Sequence, residues 1–206
     1  MQGKVILFGG SFDPVHRGHI EILRYVHEHI GAQKSILIPA RRSPLKPNAP
    51  AASNAQRFDM LKLAIKDYSD FEVSDIEFNL PEPSYSYHTI SHFKQLYGGD
   101  TTLYWIAGAD VAGELHRWYR IQDILNMCEM ILVHRGGYSK PDENSLQANL
   151  SISTAAKQRI TFMQTPLIPI SSTEIRRMAS EKLPLDGFVH RSVAQYISAN
   201  KIYELG

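Results

Sequence analysis

Two histidines three residues apart, His16 and His19, are the side chains in this sequence best suited to chemistry. They follow a short apolar run and a turn, residues 9–13, that begins with two glycines, and a helical pattern of apolar residues begins just beyond them. Glycines allow the backbone to approach a polyphosphate closely, and free N–H groups at the start of a helix attract anions. Histidines at this spacing share one face of a first helical turn. The pattern predicts a nucleotide-phosphate site.

The histidine pair has two other interpretations. Partly buried histidines occur in protein cores, and two histidines can be ligands of a metal ion. A zinc site would need further ligands nearby, but Cys128 is the only cysteine and the sequence has no HExxH-like pattern. The two histidines alone leave phosphate binding and a structural role equally supported, and the neighbouring strand, glycines and helix start favour phosphate binding. We predict no metal site formed by the protein.

A second candidate phosphate site begins at Ser171. Ser171 and Glu174 have the spacing of a capping box, which predicts the start of a helix whether or not a ligand binds there. Ser172, Thr173 and Arg176 add two hydroxyls and a guanidinium to the same turn. Together with the free N–H groups of the helix, these groups would suit a triphosphate.

Three further segments carry residues that could bind a nucleotide. Gly108 and Asp110 follow an apolar run, where a glycine permits close approach and a carboxylate could bind sugar hydroxyls or cap the next turn. Arg135 ends another apolar run, as a phosphate ligand or an ordinary loop arginine. The loop at residues 40–52 is proline-rich and basic, which suits a phosphate arm but is more typical of a solvated surface loop. Its cations are Arg41, Arg42 and Lys46.

Apolar runs alternate with amphipathic helical patterns along the chain, as in α/β proteins. We predict strands at residues 5–8, 35–39, 71–78, 101–107, 130–133, 160–163 and 167–170. We predict helices at residues 20–30, after Ser53 or Asn54, from about residue 85 to 97, at 121–125, from Ser171, and at 191–199. Residues 138–158 suggest a variable loop and a short helix. The order predicts one doubly wound, Rossmann-like α/β domain over residues 1–206, with a mainly parallel sheet and its site at the strands' carboxyl ends.

The composition restricts the partners of this chain. Its 206 residues include 22 Lys and Arg against 21 Asp and Glu. This near balance argues against nucleic acid or an anionic membrane as a partner, so phosphates must be bound by a few focused cations. The lack of a long apolar span and of a signal-peptide pattern predicts a cytoplasmic protein. Cys128 lies in an apolar run and is expected to be a buried, unreactive thiol. The oligomeric state is unknown from sequence.

Residues 9–19, GGSFDPVHRGH, resemble the signature of the nucleotidyltransferase superfamily, and most closely its bacterial nicotinate mononucleotide adenylyltransferase family. The run ISSTEIR at residues 170–176 resembles a second signature of the superfamily, and the match spans almost the whole chain. The resemblance implies that ATP and nicotinate mononucleotide are joined into deamido-NAD with release of pyrophosphate, and that Mg²⁺ is carried with ATP.

The resemblance also implies roles for individual residues. The implied ATP site comprises Gly9, Gly10, Ser11, Phe12, His16, His19, Gly108, Asp110, Ser172, Thr173 and Arg176, of which His16, His19 and Arg176 are catalytic. The implied mononucleotide site comprises Lys46, Ser86, Thr89, Trp118 and Arg135, with Thr89 and Trp118 beside the pyridine ring. Leu45 departs from the family, which often has histidine there. Arg57 resembles a family position, although its spacing favours an ordinary surface arginine.

Three alternatives to this function are open. The same scaffold could use another acceptor, such as nicotinamide mononucleotide or a phosphopantetheine. It could be a nucleotide sensor without catalysis, although the retained histidines, Ser172 and Arg176 argue against that. It could be a nucleic-acid module, because class I aminoacyl-tRNA synthetases share the HxGH element, but the chain has no basic tract.

Overall fold

Six parallel strands form one twisted sheet in the computed structural model, which describes residues 3–44, 48–135, 158–166 and 168–204. The strands are β1 Gly3–Gly10, β2 Lys34–Pro39, β3 Phe71–Val73, β4 Thr101–Gly108, β5 Glu129–Arg135 and β6 Ile160–Thr165. The helices are α1 Arg17–Ile30, α2 Asn54–Ile65, α3 Ile76–Asn79, α4 Ser86–Tyr97, α5 Ile121–Met127, α6 Ser172–Ser180 and α7 Arg191–Ala199, with a 3-10 helix at Ala109–Arg117.

Alternate residues of β1 show why helices cover both faces of the sheet. Ile6 and Phe8 belong to one buried apolar cluster, together with side chains of α1, α2, α6 and α7. Val5 and Leu7 belong to a second cluster, together with side chains of α4 and α5. Successive strand residues point to opposite faces, so a strand that is apolar on both faces requires cover on both. This arrangement confirms the doubly wound α/β class.

The strand order, β3-β2-β1-β4-β5-β6, reverses direction between β1 and β4. The chain moves outward from β1 to β3 and then returns to the other side of β1 with β4. The loops after β1 and β4 therefore leave the carboxyl edge in opposite directions and open a crevice between them. The last residues of the two strands, Gly10 and Gly108, lie at this edge.

Several predicted helix boundaries agree with local capping, although α1 begins at Arg17, three residues before its predicted start, and α5 extends two residues beyond its predicted end. Gly31 ends α1 with a φ of 64°, a left-handed conformation that a glycine adopts without steric cost. Ser53 precedes α2, and its Oγ accepts the backbone N–H of Gln56 at 3.2 Å. The helix predicted at residues 191–199 is α7.

Two predicted strands are wrong in part or in whole. The strand predicted at residues 71–78 ends at Val73, because the Oγ of Ser74 accepts the N–H of Ile76 at 3.3 Å and turns the chain into α3. The short β3 lies at an edge of the sheet. In the predicted strand at 167–170, the described residues 168–170 form no strand. The N–H of Ile170 bonds to the carbonyl of Ile168 at 2.8 Å, and Pro169 has no N–H to donate.

Two further observations concern the predicted loop and membrane spans. The loop and helix predicted for residues 138–158 lie outside the described residues, apart from Gln158. No helix in the described part of the chain is long and apolar enough to cross a membrane.

Candidate active site

A cavity of about 920 Å³ opens at the carboxyl edge of the sheet, in the crevice between β1 and β4. This volume suits a small-molecule ligand the size of a nucleotide. Its walls come from the turn after β1, the start of α1, the ends of β4 and β5, and the start of α6. The sequence-predicted ATP residues that line it are Gly10, Ser11, Phe12, His16, His19, Gly108, Asp110, Ser172, Thr173 and Arg176. Gly9 is the one residue of that prediction outside the lining.

The two glycines of the first turn are required by packing beneath it. A Cβ atom at Gly9 would lie 2.7 Å from the ring of Trp105, a core side chain of β4. A Cβ at Gly10 would lie 3.0 Å from the ring of Phe12, which is buried under the turn. Both distances are shorter than a normal carbon contact. The glycines therefore let two aromatic rings support the turn from below, and only Gly10 also lines the cavity.

His16 and His19 form a stacked pair at the start of α1. Their ring centroids are 3.6 Å apart with 22° between the ring planes. The backbone N–H of His16 donates to Nδ1 of His19 at 3.2 Å, so a neutral His19 ring carries its hydrogen on Nε2. A Cβ at Gly18 would lie 3.0 Å from Nδ1 of His16, which explains the glycine between the histidines. The pair lies at the positive end of the α1 dipole.

The second predicted motif is bound directly to the first. The Ser171 Oγ accepts the N–H of Glu174 at 3.2 Å and caps α6 as predicted. Ser172 Oγ then donates to the carbonyl of Pro14 at 2.9 Å, and Arg176 Nη1 donates to the carbonyl of Asp13 at 2.7 Å. These bonds join segments about 160 residues apart in the sequence and aim two helix N-termini at one cavity.

The ends of β4 and β5 form the opposite wall. Asp110 lines the cavity with an exposed carboxylate at the start of the 3-10 helix. A Cβ at Gly108 would lie 2.2 Å from its Oδ1, so only glycine allows this carboxylate to fold back over the strand end. His134 of β5 also lines the cavity, and its buried Nδ1 has no hydrogen-bond partner among the residues that the structure describes. Arg135 follows it as the last residue of β5, and the structure does not describe its side chain.

The residues predicted for the mononucleotide lie away from this lining. Ser86 is the first residue of α4, and Thr89 is fully buried in that helix, where its hydroxyl donates to Oε1 of Glu77 at 2.7 Å. Trp118 follows the 3-10 helix, and its buried indole N–H has no partner within the described ranges. None of these three side chains contacts the 920 Å³ cavity. Lys46 lies outside the described residues.

An aromatic cluster lies around these predicted acceptor residues. The rings of Tyr85, Tyr87, His88 and Tyr119 form the cluster, with Tyr85 and Tyr119 centred 4.9 Å apart. Arg120 lies over the ring of Tyr87 at 4.3 Å and donates to its hydroxyl at 2.7 Å. Tyr119 is 46% exposed. The cluster therefore offers flat apolar surface to solvent, a suitable wall for an aromatic ligand.

The basic loop after β2 is held by the segment that leads into this cluster. Arg41 forms an ion pair with Glu82 at 2.5 Å, and its Nη1 donates to the carbonyl of Phe78 at 3.4 Å. The Oγ of Ser84 accepts the backbone N–H of Arg41 at 3.0 Å. Arg41 is thus an exposed side chain with carboxylate and carbonyl partners, in agreement with a solvated surface loop.

The sequence is similar to one family model and to named relatives over most of its length. The family model described as cytidylyltransferase-like matches residues 7–178. A probable nicotinate-nucleotide adenylyltransferase of Carboxydothermus hydrogenoformans is 39% identical over 200 residues, covering 97% of this chain and 98% of the relative. Another from Methylacidiphilum infernorum is 36% identical over 97% of this chain and 92% of its own length. This chain belongs to the cytidylyltransferase-like family, within its nicotinate-nucleotide adenylyltransferase group.

Solved structures extend the likeness to the fold of this family. The nicotinic acid mononucleotide adenylyltransferase of Plasmodium falciparum, complexed with NaAD, superposes with a TM-score of 0.73 over 98% of this chain and 97% of that one. The two sequences are only 17% identical. The family fold is therefore retained where most side chains have changed.

Arg57 is a buried residue that contacts the turn at residues 9–13, contrary to the prediction from its spacing. The expectation of a surface arginine is wrong, because its side chain is 0% exposed. Its Nη1 donates to the carbonyl of Ser11 at 2.8 Å, and its Nη2 donates to Asn54 Oδ1 at 2.6 Å. Burial lowers the pKa of Arg57, opposed chiefly by the negative charge of Asp13. A buried cation thus lies beneath the turn at residues 9–13, which we call the phosphate turn. Only the family resemblance indicated this position.

Asp13 is a second residue at the cavity whose contacts were not predicted from the sequence. It is 6% exposed, and its Oδ2 and Oδ1 accept the backbone N–H groups of Ala51 and Ala52 at 2.8 and 3.0 Å. The hydroxyl of Tyr203 donates to the same Oδ1 at 2.9 Å. A carboxylate is needed here because several donors from distant segments meet at one point. No local pattern in the sequence signals a meeting of this kind.

Proposed function

We propose that this chain transfers the adenylyl group of ATP to nicotinate mononucleotide, giving deamido-NAD and pyrophosphate. The observation that carries the proposal is the convergence of two helix N-termini, α1 with His16 and His19 and α6 with Arg176, on one cavity. The names of the two bacterial relatives favour this acceptor. A cytoplasmic location and independence from nucleic acid form part of the same proposal.

The reaction needs no nucleophile from the protein. An oxygen of the acceptor's phosphate forms a bond to the α-phosphorus of ATP, while the bond from that phosphorus to the bridging oxygen breaks and its electron pair leaves with pyrophosphate. The acceptor oxygen is already anionic, so the task of the protein is to align the two phosphates and stabilise the charge that moves between them.

The first turn and α1 serve the transferring phosphate in this mechanism. His16, His19 and Ser11 line the cavity, where hydrogen-bond donors can stabilise charge at the α-phosphate. The stacked rings support each other, and the N–H of His16 fixes the orientation of His19. Such preorganised donors stabilise a transition state without reorganising during the reaction.

The α6 turn serves the leaving pyrophosphate. Arg176 is held at Nη1 by the Asp13 carbonyl and at Nη2 by Thr173 Oγ1, at 3.2 Å, while its guanidinium lines the cavity. An arginine is always charged, and its planar fork matches phosphate oxygens. The Thr173 hydroxyl accepts from Arg176 and can donate its own hydrogen to a phosphate oxygen, whereas the Ser172 hydroxyl gives its hydrogen to the carbonyl of Pro14 and fixes the start of α6.

The ATP substrate brings its own Mg²⁺ in this proposal. Among the described residues, no group of three or more His, Cys, Asp or Glu side chains could hold a metal ion. Asp110 is the carboxylate that lines the cavity with an exposed side chain, and it would bind ribose hydroxyls or a water of the hydrated ion. An ion held mainly by phosphates fits this donor set.

The acceptor would lie against the Ser86, Thr89 and Trp118 side of the molecule, with Lys46 and Arg135 as further phosphate ligands. One observation supports a second candidate, nicotinamide mononucleotide. The Thr89 hydroxyl gives its hydrogen to Glu77, so its remaining capacity is to accept a hydrogen bond. Because this hydroxyl is also fully buried, it is not available to donate to a nicotinate carboxylate, a donor that nicotinamide mononucleotide does not need.

An acceptor panel tests the proposal. Purified protein is assayed with ATP and Mg²⁺ for pyrophosphate and dinucleotide, with nicotinate mononucleotide, nicotinamide mononucleotide or phosphopantetheine as acceptor. We expect nicotinate mononucleotide to give the highest kcat/KM. A higher value for nicotinamide mononucleotide would support the second candidate and overturn the acceptor assignment. Binding of ATP without product from any acceptor would support a nucleotide sensor instead.

A further inference from the structure

Tyr203 reaches the phosphate turn from the segment that follows α7. Its hydroxyl donates to Oδ1 of Asp13 at 2.9 Å, across 190 residues of sequence. Tyr203 does not line the cavity, and the mechanism above gives it no role. The bond nevertheless ends on a carboxylate in the middle of the candidate ATP site.

Asp13 transmits this contact to the residue proposed to hold the leaving phosphates. The carbonyl of Asp13 accepts Arg176 Nη1 at 2.7 Å, and its carboxylate oxygen Oδ2 lies 3.8 Å from the same nitrogen. The carboxylate also accepts the N–H groups of Ala51 and Ala52. If the carboxylate rotates, the N–H groups of Ala51 and Ala52 lose their acceptor and Nη1 of Arg176 loses its ion pair with Oδ2, so the guanidinium is held less firmly at Asp13.

We propose that Tyr203 is a positioning residue for adenylyl transfer, which fixes the Asp13 carboxylate so that Arg176 meets the ATP phosphates in one orientation. This inference rests on the proposed function. Tyr203 acts only through Asp13 and touches no substrate. Among the described residues, the side chain that donates to Oδ1 of Asp13 is Tyr203.

The environment of Tyr203 keeps its hydroxyl a donor. Burial raises the pKa of the phenol, and the adjacent Asp13 charge raises it further, against smaller opposing effects of Arg176 and Arg57. The proton therefore remains on the phenol oxygen, which donates a hydrogen bond to Oδ1 of Asp13. A phenylalanine at this position would keep the ring and remove the donor.

The chain contains a matched control for this substitution. Tyr196 lies in α7, and its hydroxyl donates to Oδ2 of Asp59 at 2.9 Å, the same bond at the same length. Asp59 belongs to α2 and does not line the cavity. Tyr196→Phe therefore removes a Tyr–Asp hydrogen bond of the same kind without touching the phosphate turn.

The experiment compares Tyr203→Phe and Tyr196→Phe in steady-state kinetics, after circular dichroism verifies that both variants are folded. We expect Tyr203→Phe to lower kcat/KM for ATP about tenfold, the size of one lost bond to a charged group, and to leave the KM of the acceptor unchanged. We expect Tyr196→Phe to match the wild type. A merely structural role for Tyr203 would lower thermal stability and leave both kinetic constants unchanged, which would overturn the inference.

A double variant tests the route through Arg176. In an Arg176→Ala background, Tyr203→Phe should cause no further loss in kcat/KM for ATP, because the residue to be positioned is gone. A full tenfold loss in that background would refute the route. The Kd of ATP, measured by calorimetry in the same variants, separates this inference from the proposed function. If the wild type makes no dinucleotide, the proposed function fails. An ATP Kd that is weakened by Tyr203→Phe and not by Tyr196→Phe would still support the Tyr203 contact.

Discussion

The two halves of the candidate site are constructed in different ways. In the phosphate half, consisting of the β1 turn, the start of α1 and the start of α6, predicted residues converge on one cavity. Arg57 and Arg176 donate to the backbone carbonyls of Ser11 and Asp13, and the hydroxyl of Tyr203 donates to the Asp13 carboxylate. In the acceptor half, consisting of the start of α4 and residues 118–120, the predicted residues lie outside that cavity beside an exposed aromatic cluster.

This difference follows from what each half must recognise. A triphosphate presents the same charges in every nucleotidyltransferase, so helix N-termini and a fixed guanidinium can be packed in advance. An acceptor ring is recognised by flat apolar area and a few directional bonds. We therefore propose that the phosphate half determines the chemistry and that the acceptor half determines the partner. Three substitutions test this division.

The largest effect is expected for His16→Ala. If His16 donates to the transferring phosphate in the transition state, turnover should fall about 100-fold or more. Steady-state release of pyrophosphate measures the loss, and the KM of the acceptor should remain unchanged.

His16 is also the N-cap residue of α1, so a structural effect must be separated from a catalytic one. His16→Asn supplies the control, because asparagine is a strong N-cap residue and lacks the imidazole. We expect both variants to lose turnover and only the alanine variant to lose stability in thermal unfolding. Near-normal turnover in the folded alanine variant would remove His16 from the mechanism.

The sequence predicted the phosphate half well because its signals are local. Ser171 caps α6 and Gly31 ends α1 because each residue acts on its own helix terminus. The doubly wound class with a mainly parallel sheet follows from the alternation of strands and helices, whereas the residues that line the cavity were predicted from two sequence motifs and their family resemblance. The role of Asp13 required knowledge of three distant partners, and the burial of Arg57 depends on packing beneath a turn. Spacing along the chain contains neither fact.

The acceptor half was less predictable for the same physical reason. The strand expected through residue 78 becomes α3, which buries Glu77 against Thr89. That pairing decides how the Thr89 hydroxyl points, and it depends on a turn at Ser74 that the alternating pattern concealed. The roles of Ser86, Thr89 and Trp118 stay predictions of the resemblance.

An intermediate effect is expected for Trp118→Ala. Loss of a stacked ring should raise the KM of the acceptor about tenfold, the usual scale for stacking on one base, and leave the KM of ATP unchanged. Initial rates at varied concentrations of each substrate measure the two constants. Trp118→Phe keeps an aromatic face and should recover most of the loss. An equal rise in the KM of ATP would break the division between the halves.

The smallest effect, roughly 1 kcal/mol in the free energy of unfolding, is expected for Glu77→Gln. Burial raises the pKa of Glu77 above its ordinary value of 4.5, and the Thr89 hydrogen bond opposes this only in part. The folded state therefore holds the proton more tightly than the unfolded state. The stability that wild-type Glu77 contributes is complete below pH 4.5 and is lost as the pH rises through the folded pKa.

Glu174→Gln gives the opposite slope and so serves as the control for Glu77→Gln. The hydrogen bond from Arg177 lowers the pKa of Glu174, so its contribution is present above pH 4.5 and is lost as the pH falls. Urea unfolding at a series of pH values measures both. As the pH rises above 4.5, wild type should lose stability relative to Glu77→Gln, whereas its gain relative to Glu174→Gln should come as the pH rises toward 4.5 and be complete above that value. If the stability difference between wild type and variant changed with pH in the same direction for both variants, Glu77 would be ionised in the fold at little cost. The acceptor half would then be as well solvated as the surface of α6.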